Sequence, residues 1–174
     1  MRSRVVFITG VSGSGKSTVG IQFAERLGWA FVDADDLHPE ANVAKMAAGI
    51  PLTDDDRWPW LRTVGAAAAG RVREADAAGS TAGVVVACSA LRRVYRDLLR
   101  EADPGALFVQ LVGSAELIAA RLTTREDHFM PPALLGSQLA TLEPLGDDEA
   151  GAAITVAAQP GTVVDDIVAT LGLR

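Results

Sequence analysis

One stretch near the N-terminus limits the choice of fold more than any other feature of the sequence. Residues 10–17 read Gly-Val-Ser-Gly-Ser-Gly-Lys-Ser and match every fixed position of the phosphate-loop pattern, which is Gly, four residues, then Gly-Lys-Ser/Thr. An apolar, β-branched run at 4–9 precedes the loop, and a helical pattern at 17–27 follows it and ends at Gly28. Because the motif requires a strand before it and a helix after it, this context favours a phosphate site over a Gly/Ser-rich turn without a ligand.

The residue types in this loop suit the binding of a nucleotide. Backbone N–H groups of a glycine-rich loop can point at phosphate oxygens, and the N-terminus of the following helix adds its own attraction for anions. Lys16 can reach the terminal phosphates, while the Ser17 hydroxyl suits one position around a Mg²⁺ ion. The residues expected to bind the nucleotide are Gly10, Val11, Ser12, Gly13, Ser14, Gly15, Lys16, Ser17 and Thr18.

Composition and charge indicate the number of domains, the cellular compartment and the kinds of partner to expect. The 174 residues, 49% of them hydrophobic, can bury one good core, so we expect a single domain over residues 1–174. The single cysteine, Cys88, excludes an internal disulfide and fits a reducing compartment. No apolar run is long enough for a membrane span, and the early strand and loop argue against a signal peptide, so we expect a cytoplasmic protein. The net charge of −6 argues against nucleic-acid and membrane partners.

Strand-like and helix-like segments alternate along the chain. Because Pro59 belongs near a helix start, residues 54–57 are expected to form the initial turn of a long helix that ends near residue 78. Five parallel strands with helical crossovers on both faces predict a three-layer α/β domain. The predicted strands are 4–9, 29–32, 83–88, 106–112 and 152–157, the other predicted helices are 17–27, 39–48, 89–100, 114–122, 133–142 and 162–171, and 123–132 is a predicted loop.

Two carboxylates follow the second predicted strand. Asp33 and Asp35 stand at its C-terminal end, which is where an open parallel sheet places its ligands. Many phosphate-loop ATPases carry an acid after a different apolar strand, but the strand at 83–88 ends in Cys88-Ser89, so Asp33 is the best candidate for the Mg²⁺ side of the site. The other interpretation of Asp-x-Asp is a helix cap with a solvated neighbour.

Five motif blocks, in order along the chain, indicate a specific family. They are the phosphate loop, Asp-x-Asp-x-Leu-His-Pro at 33–39, Pro-Leu-Thr-Asp-Asp-Asp-Arg-x-Pro-Trp-Leu at 51–61, Cys-Ser-Ala-Leu-Arg-Arg-x-Tyr-Arg-Asp-Leu-Leu-Arg at 88–100 and His-Phe-Met-Pro at 128–131. Together they resemble the gluconate kinase family. Two departures concern Arg92, where a lysine is common, and Asp127, where a glycine often precedes the histidine.

This resemblance implies both an architecture and a reaction. The implied fold is the three-layer phosphate-loop kinase fold, with a five-stranded parallel sheet in the order 2-3-1-4-5, helices on both faces and a short lid at about 123–137. The implied reaction is transfer of the ATP γ-phosphate to the 6-hydroxyl of D-gluconate, with ATP and Mg²⁺ as cofactors. The expected assembly is a homodimer.

The resemblance and the chemistry of a sugar acid assign roles to individual residues. A carboxylate needs a guanidinium, and hydroxyls need carboxylates or amides. The expected catalytic residues are Lys16, Asp35 and Arg125, and the residues expected to bind the acceptor are Asp35, His38, Arg57 and Arg92. The metal is expected to be bound by Ser17 and Asp33. Besides the phosphate loop, ATP is expected to contact Arg121, Arg125, Gln159 and Pro160.

Several of these residues also have a purely structural interpretation. His38 can simply satisfy a helix start, and Arg121 and Arg125 can stabilise a helix C-terminus. Three groups are expected to be structural: Asp54 and Asp55 as solvated or capping residues, Arg93, Arg96 and Arg100 as an exposed basic helix face, and Trp58, Trp60 and Tyr95 as core or interface residues.

Two other functions stay open from the sequence. A shikimate-kinase-like or other small-molecule kinase also pairs a strand-end Asp-x-Asp with substrate-binding arginines. A non-catalytic nucleotide-binding module would use the same phosphate loop without an acceptor.

Overall fold

A five-stranded parallel sheet forms the centre of the protein, seen here in a computed structural model that describes residues 4–123 and 133–173. The strands are β1 (Val5–Thr9), β2 (Ala30–Asp33), β3 (Val84–Ala87), β4 (Leu107–Val112) and β5 (Gly151–Thr155). The strand order is β2-β3-β1-β4-β5, and every neighbouring pair is parallel. The phosphate loop therefore follows the central strand, and the predicted order is confirmed.

Helices cover both faces of this sheet. The helices are α1 (Lys16–Leu27), α2 (Glu40–Ala47), α3 (Asp54–Ala77), α4 (Arg93–Ala102), α5 (Ala115–Thr123), α6 (Ala133–Thr141) and α7 (Pro160–Leu171). Alternate residues of β1 point to opposite faces: Val5 and Phe7 pack in one core with α3 and α4, while Val6 and Ile8 pack in another with α1 and α7. This arrangement confirms the three-layer α/β fold. Within the described ranges, no helix combines the length and the apolar character that a membrane crossing requires.

The long helix α3 starts where residues 54–57 were expected to make a turn. Thr53 and Asp56 form a capping box: the Thr53 side chain accepts the N–H of Asp56, and the Asp56 carboxylate accepts the N–H of Thr53. Residues 54–57 are thus the first turn of α3, and Pro59 lies inside the helix. The cap fixes the start of the helix that carries Arg57 and Trp60.

The predicted helix at 89–100 is wrong at its start. Helix α4 begins only at Arg93, because Ala90 has a positive φ of 30°, which a right-handed helix excludes. The backbone N–H of Arg93 donates to the Glu143 carboxylate at 2.6 Å, so an acid from a distant segment occupies the N-terminus of α4. Residues 89–92 therefore form an irregular segment at the C-terminal end of β3.

The expected exposed basic face of α4 is also wrong, because Arg96 is completely buried. Its guanidinium donates to both carboxylate oxygens of Glu149, at 2.8 and 2.7 Å, and to the backbone carbonyls of Glu143 and Pro144. Arg100 reaches the same carboxylate. This buried cluster joins α4 to the connection between α6 and β5.

Candidate active site

The phosphate loop connects the end of β1 to the start of α1. Gly10 has a φ of 144°, and a Cβ there would lie 2.9 Å from the carbonyl oxygen of Leu111 on the neighbouring strand. Gly15, the N-cap of α1, has a φ of 93°. Both positions are suited to glycine alone, since an L side chain is strained at such φ values and at Gly10 lacks space as well. The loop can therefore turn tightly and end on the N-terminus of α1.

Ser17, at the end of the phosphate-loop motif, is in contact with Asp33. The Ser17 hydroxyl donates to one oxygen of Asp33 at 2.5 Å, and the other oxygen accepts the backbone N–H of Asp35 at 3.0 Å. Asp33 thereby caps a short 3₁₀ helix, Ala34–Leu37. Asp33 therefore caps a helix, which was one of its two interpretations, and it also contacts the phosphate loop through Ser17.

The oxygen donors at this point suit Mg²⁺. This ion prefers oxygen ligands and keeps several waters, with one or two carboxylates and substrate phosphates completing its shell. Ser17 and Asp33 are a hydroxyl and a carboxylate in direct contact. In the described part of the chain, no group of three or more His, Cys, Asp or Glu residues could hold a metal without such a substrate. The site therefore fits a metal that arrives with phosphates.

One pocket, which we call the nucleotide pocket, lies on the α7 side of the loop. Arg121, on the last turn of α5, lines it, and the Arg121 guanidinium donates to the carbonyl of Val156 at 2.6 Å. Gln159 and Pro160, at the start of α7, line it as well. The structure therefore brings together residues that are far apart in the sequence. The pocket is lined by Gly13, Ser14, Gly15, Thr18, Val19, Arg121, Val156, Ala158, Gln159, Pro160 and Val163.

A second pocket, the main cleft, opens on the other side of the same loop. It contains Lys16 and three predicted acceptor-binding residues, Asp35, His38 and Arg57, next to aromatic and aliphatic side chains. Such a mixture of a few polar groups with apolar walls is typical of a small-molecule site. The main cleft is lined by Ser12, Gly13, Gly15, Lys16, Ser17, Asp35, His38, Met46, Pro51, Leu52, Arg57, Trp60, Ser89, Leu91, Tyr95, Ser137 and Gln138.

The pKa values of Asp35 and His38 are both shifted in this cleft. Burial raises the pKa of the Asp35 carboxyl, the charge of Lys16 lowers it, and the carboxylates of Asp33 and Asp36 raise it again, with a net upward shift. Burial, followed by the charge of Arg57, lowers the pKa of His38 to about 4. Asp35 is therefore a stronger proton acceptor than an ordinary aspartate, and His38 is neutral at physiological pH.

The two candidate arginines occupy different positions. Arg57 lines the main cleft, where its guanidinium donates to the carbonyl of Leu52 and to the Tyr95 hydroxyl. Arg92 lines a neighbouring pocket, which Arg57 lines as well, and is held by the carboxylates of Asp54, at 3.1 Å, and Glu143, at 3.4 Å. The geometry therefore favours Arg57 over Arg92 as the cation that meets an acceptor in the main cleft.

Comparison with known proteins places this chain in a family. The sequence matches the AAA domain family over residues 5–145. It is 46% identical over 168 residues to the protein called gluconokinase from Gluconobacter oxydans (strain 621H), with 97% of this chain and 91% of that protein covered. The chain belongs to the gluconokinase family. Within this gluconokinase family, the match extends over nearly the whole chain and includes both pockets.

Two solved structures are similar to this gluconokinase-family chain along its whole length. The crystal structure of a gluconokinase from Sinorhizobium meliloti 1021 has a TM-score of 0.85 and 45% identity, and the match covers 99% of this chain and 94% of that one. A sugar kinase from Janibacter sp. HTCC2649 has a TM-score of 0.87 and 44% identity, with 99% and 96% covered.

Sequence reasoning missed part of the lining of this gluconokinase-family site. Ser89 and Gln138 line the main cleft, and the side-chain oxygen of Gln138 accepts the backbone N–H of Ser12 at 2.6 Å. Trp60 and Tyr95, expected in the core or an interface, are buried and also line the cleft. The positions of Trp60 and Tyr95 inside the 51–61 and 88–100 motif blocks could have indicated that they line the cleft, whereas no sequence pattern indicated this for Gln138. Arg125 and His128 lie outside the described residues.

Proposed function

We propose that the chain transfers the γ-phosphoryl group of ATP to the 6-hydroxyl of D-gluconate and releases 6-phospho-D-gluconate and ADP. Membership of the gluconokinase family supports this reaction. The observation that carries the proposal is that two pockets meet at one phosphate loop, since Gly13 and Gly15 line both. A donor nucleotide and an acceptor can therefore approach the same loop from opposite sides.

The nucleotide pocket and the adjoining phosphate loop together supply the contacts that ATP requires. The Arg121 guanidinium and the Gln159-Pro160 corner would enclose the adenine, while the loop N–H groups and Lys16 would hold the phosphates. Arg125, on the lid at about 123–137, would add a second cation to the phosphates when the lid closes. Ser17 and Asp33 would hold Mg²⁺, which when bound neutralises charge on the β- and γ-phosphates.

The main cleft supplies contacts for a polyol acid. Arg57 would pair with the gluconate carboxylate in a charge-assisted contact, with Arg92 as the neighbouring cation. His38 would contact a hydroxyl group. Asp35 would bind the 6-hydroxyl close to Lys16, since both side chains line the cleft next to the loop.

The reaction follows from these positions. The 6-hydroxyl oxygen attacks the γ-phosphorus, its proton passes to Asp35, and the bond between the γ-phosphorus and the bridging oxygen of ADP breaks. The raised pKa of Asp35 favours its acceptance of this proton. Lys16 and Arg125 would stabilise the negative charge on the phosphoryl oxygens in the transition state.

An acceptor panel tests this function. ADP release is measured with MgATP and D-gluconate, other sugar acids, shikimate and nucleoside monophosphates. We expect D-gluconate to give the highest kcat/KM. A higher value for shikimate or a nucleoside monophosphate would assign a different kinase activity, and ATP binding without ADP release for any acceptor would support a nucleotide-binding module.

Two variants separate the proposed base from its neighbour. Asp35→Asn should lower kcat by about a hundredfold or more, because the amide cannot accept the hydroxyl proton. Asp36→Asn is the matched control, since Asp36 is exposed and does not line the main cleft. Equal losses in both variants would place the base elsewhere.

The expected homodimer is tested separately by light scattering of the purified chain, and the expected cytoplasmic location is tested by cell fractionation.

A further inference from the structure

We propose that Asn42 is a positioning residue that fixes the tautomer of His38, so that the Nε2–H of the ring faces Asp35 and donates to a hydroxyl of the acceptor. This inference deepens the proposed function and rests on it for the identity of the acceptor. Asn42 itself does not line the main cleft, so it would act only through His38.

The hydrogen bonds of Asn42 determine which way its amide faces. Asn42 is a buried residue of α2, and its side-chain nitrogen lies 3.0 Å from the backbone oxygen of Asp56. A carbonyl oxygen can only accept a hydrogen bond, so the Asn42 atom facing it must be the NH₂ group. The same nitrogen lies 3.3 Å from Nδ1 of His38. Asn42 therefore offers its second N–H to the imidazole ring.

This contact assigns the ring proton of His38. An Nδ1 atom that accepts an N–H must carry a lone pair, and a neutral imidazole then carries its single proton on Nε2. The ring is neutral under ordinary conditions, since burial, followed by the charge of Arg57, lowers the pKa of His38 to about 4. The N–H of the ring is thus on the side away from Asn42.

Packing prevents the ring from turning to exchange its two nitrogens. The His38 ring stacks on the Trp60 indole, with 4.0 Å between centroids and 15° between planes, and only 3% of its side chain is exposed. The indole is itself held, because its N–H donates to the carbonyl of Ala34 at 2.7 Å. Asn42 and Trp60 together therefore fix both the proton and the plane of the ring.

The position of Nε2 suits a substrate hydroxyl. Nε2 lies 3.8 Å from one carboxylate oxygen of Asp35, which is too long for a direct hydrogen bond. A hydroxyl oxygen at about 2.8 Å from each atom can bridge them, donating to Asp35 and accepting from Nε2–H. The opposite tautomer would present two acceptors to a hydroxyl that has one proton. Asn42 thereby selects an acceptor with a hydroxyl at this point.

Ring-nitrogen NMR tests the tautomer directly. The chain has only two histidines, so spectra of ¹⁵N-labelled protein in a His128→Gln background report on His38 alone. We expect a neutral ring with its proton on Nε2 at pH 7. A proton on Nδ1 in the otherwise unchanged protein would overturn the proposal without any substitution at Asn42.

Substitution of Asn42 tests its role. In Asn42→Asp, the carboxylate accepts a hydrogen bond, so the His38 proton should move to Nδ1. The KM for D-gluconate should rise about tenfold, for the loss of one hydrogen bond, while the KM for ATP stays within about twofold. In Asn42→Leu, which offers the ring no partner, the spectrum should show both tautomers. An unchanged tautomer in both variants, or an unchanged KM for gluconate after the tautomer changes, would contradict the proposal.

A double-mutant cycle excludes a merely structural effect. In a His38→Ala background, Asn42→Asp should leave the KM for gluconate unchanged, because Asn42 acts through the ring. A further rise in that KM would show that Asn42 acts by another route. The NMR experiment needs no substrate, so a failure of the tautomer assignment and a failure of gluconate as the acceptor are separate results.

Discussion

The buried carboxylate of Glu149 should make the protein sensitive to acid. Its side chain is fully buried against Arg96, which is also fully buried, and it accepts the backbone N–H of Gly146 at 2.9 Å. Burial by itself would raise the pKa of Glu149, but the hydrogen bonds from Arg96, Gly146 and Arg100, with the charge of Arg96, lower it to about 2. The folded chain therefore keeps this group ionised at a pH where the unfolded chain protonates it.

The size of this effect follows from the two pKa values. An ordinary value of 4.5 and a folded value of about 2 correspond to about 3 kcal/mol of stability. Because the folded pKa is the lower one, this stability is fully present above pH 4.5 and is lost as the pH falls toward 2. Glu149→Gln also leaves Arg96 buried without a counter-charge, and breaking a buried pair in this way costs about 3–5 kcal/mol.

Urea unfolding followed by the fluorescence of the three tryptophans measures this cost. At pH 7, we expect Glu149→Gln to lower the free energy of unfolding by about 3 kcal/mol or more, and the difference from the unsubstituted protein should shrink below pH 4.5. Asp97→Asn is the control, because Asp97 pairs with arginines at an exposed position and should change stability by less than about 1 kcal/mol. A Glu149→Gln difference that is small at pH 7, or that is the same at pH 7 and pH 3.5, would refute this reasoning.

Three further predictions concern the site. Lys16→Ala should lower kcat by orders of magnitude while calorimetry still detects ATP binding, because the ammonium acts on charge in the transition state; near-normal turnover would contradict this. Arg57→Ala should raise the KM for gluconate by an amount that corresponds to about 2–4 kcal/mol, with ATP affinity unchanged, and a larger effect of Arg92→Ala would exchange their roles. Arg121→Ala should mainly raise the KM for ATP, whereas Arg125→Ala should lower kcat about a hundredfold; normal kinetics with lower thermal stability in both would indicate a helix-end role.

Local patterns were enough to predict the alternation of strands and helices and the position of the phosphate loop, whereas the strand order was predicted from the resemblance to a family. The loop at 10–17 follows a strand and begins a helix, and these signals are all close together in the sequence. Asp33 and Asp35 were predictable for the same reason, since they directly follow β2. Site residues that come from one short segment can be recognised from the sequence of that segment alone.

Contacts between distant segments were not predictable. Arg93, Arg96 and Arg100 have the spacing of one helix face, and nothing near them shows that Arg96 turns inward to Glu149, 53 residues away. Arg57 and Arg92 are equal as sequence candidates, because Asp54 lies near both arginines and the carboxylate that distinguishes Arg92 comes from the distant Glu143. These pairings arise only when separate elements pack together.

The wall shared by the two pockets has a consequence for the design of inhibitors. Gly13 and Gly15 line both the nucleotide pocket and the main cleft, so the two pockets adjoin at the phosphate loop. Under the proposed function, one molecule with adenosine at one end and a sugar acid at the other, joined by a phosphate chain, would occupy both pockets. Once one end is bound, binding of the other is intramolecular, so the compound should bind more tightly than either fragment by a factor set by the length of the chain.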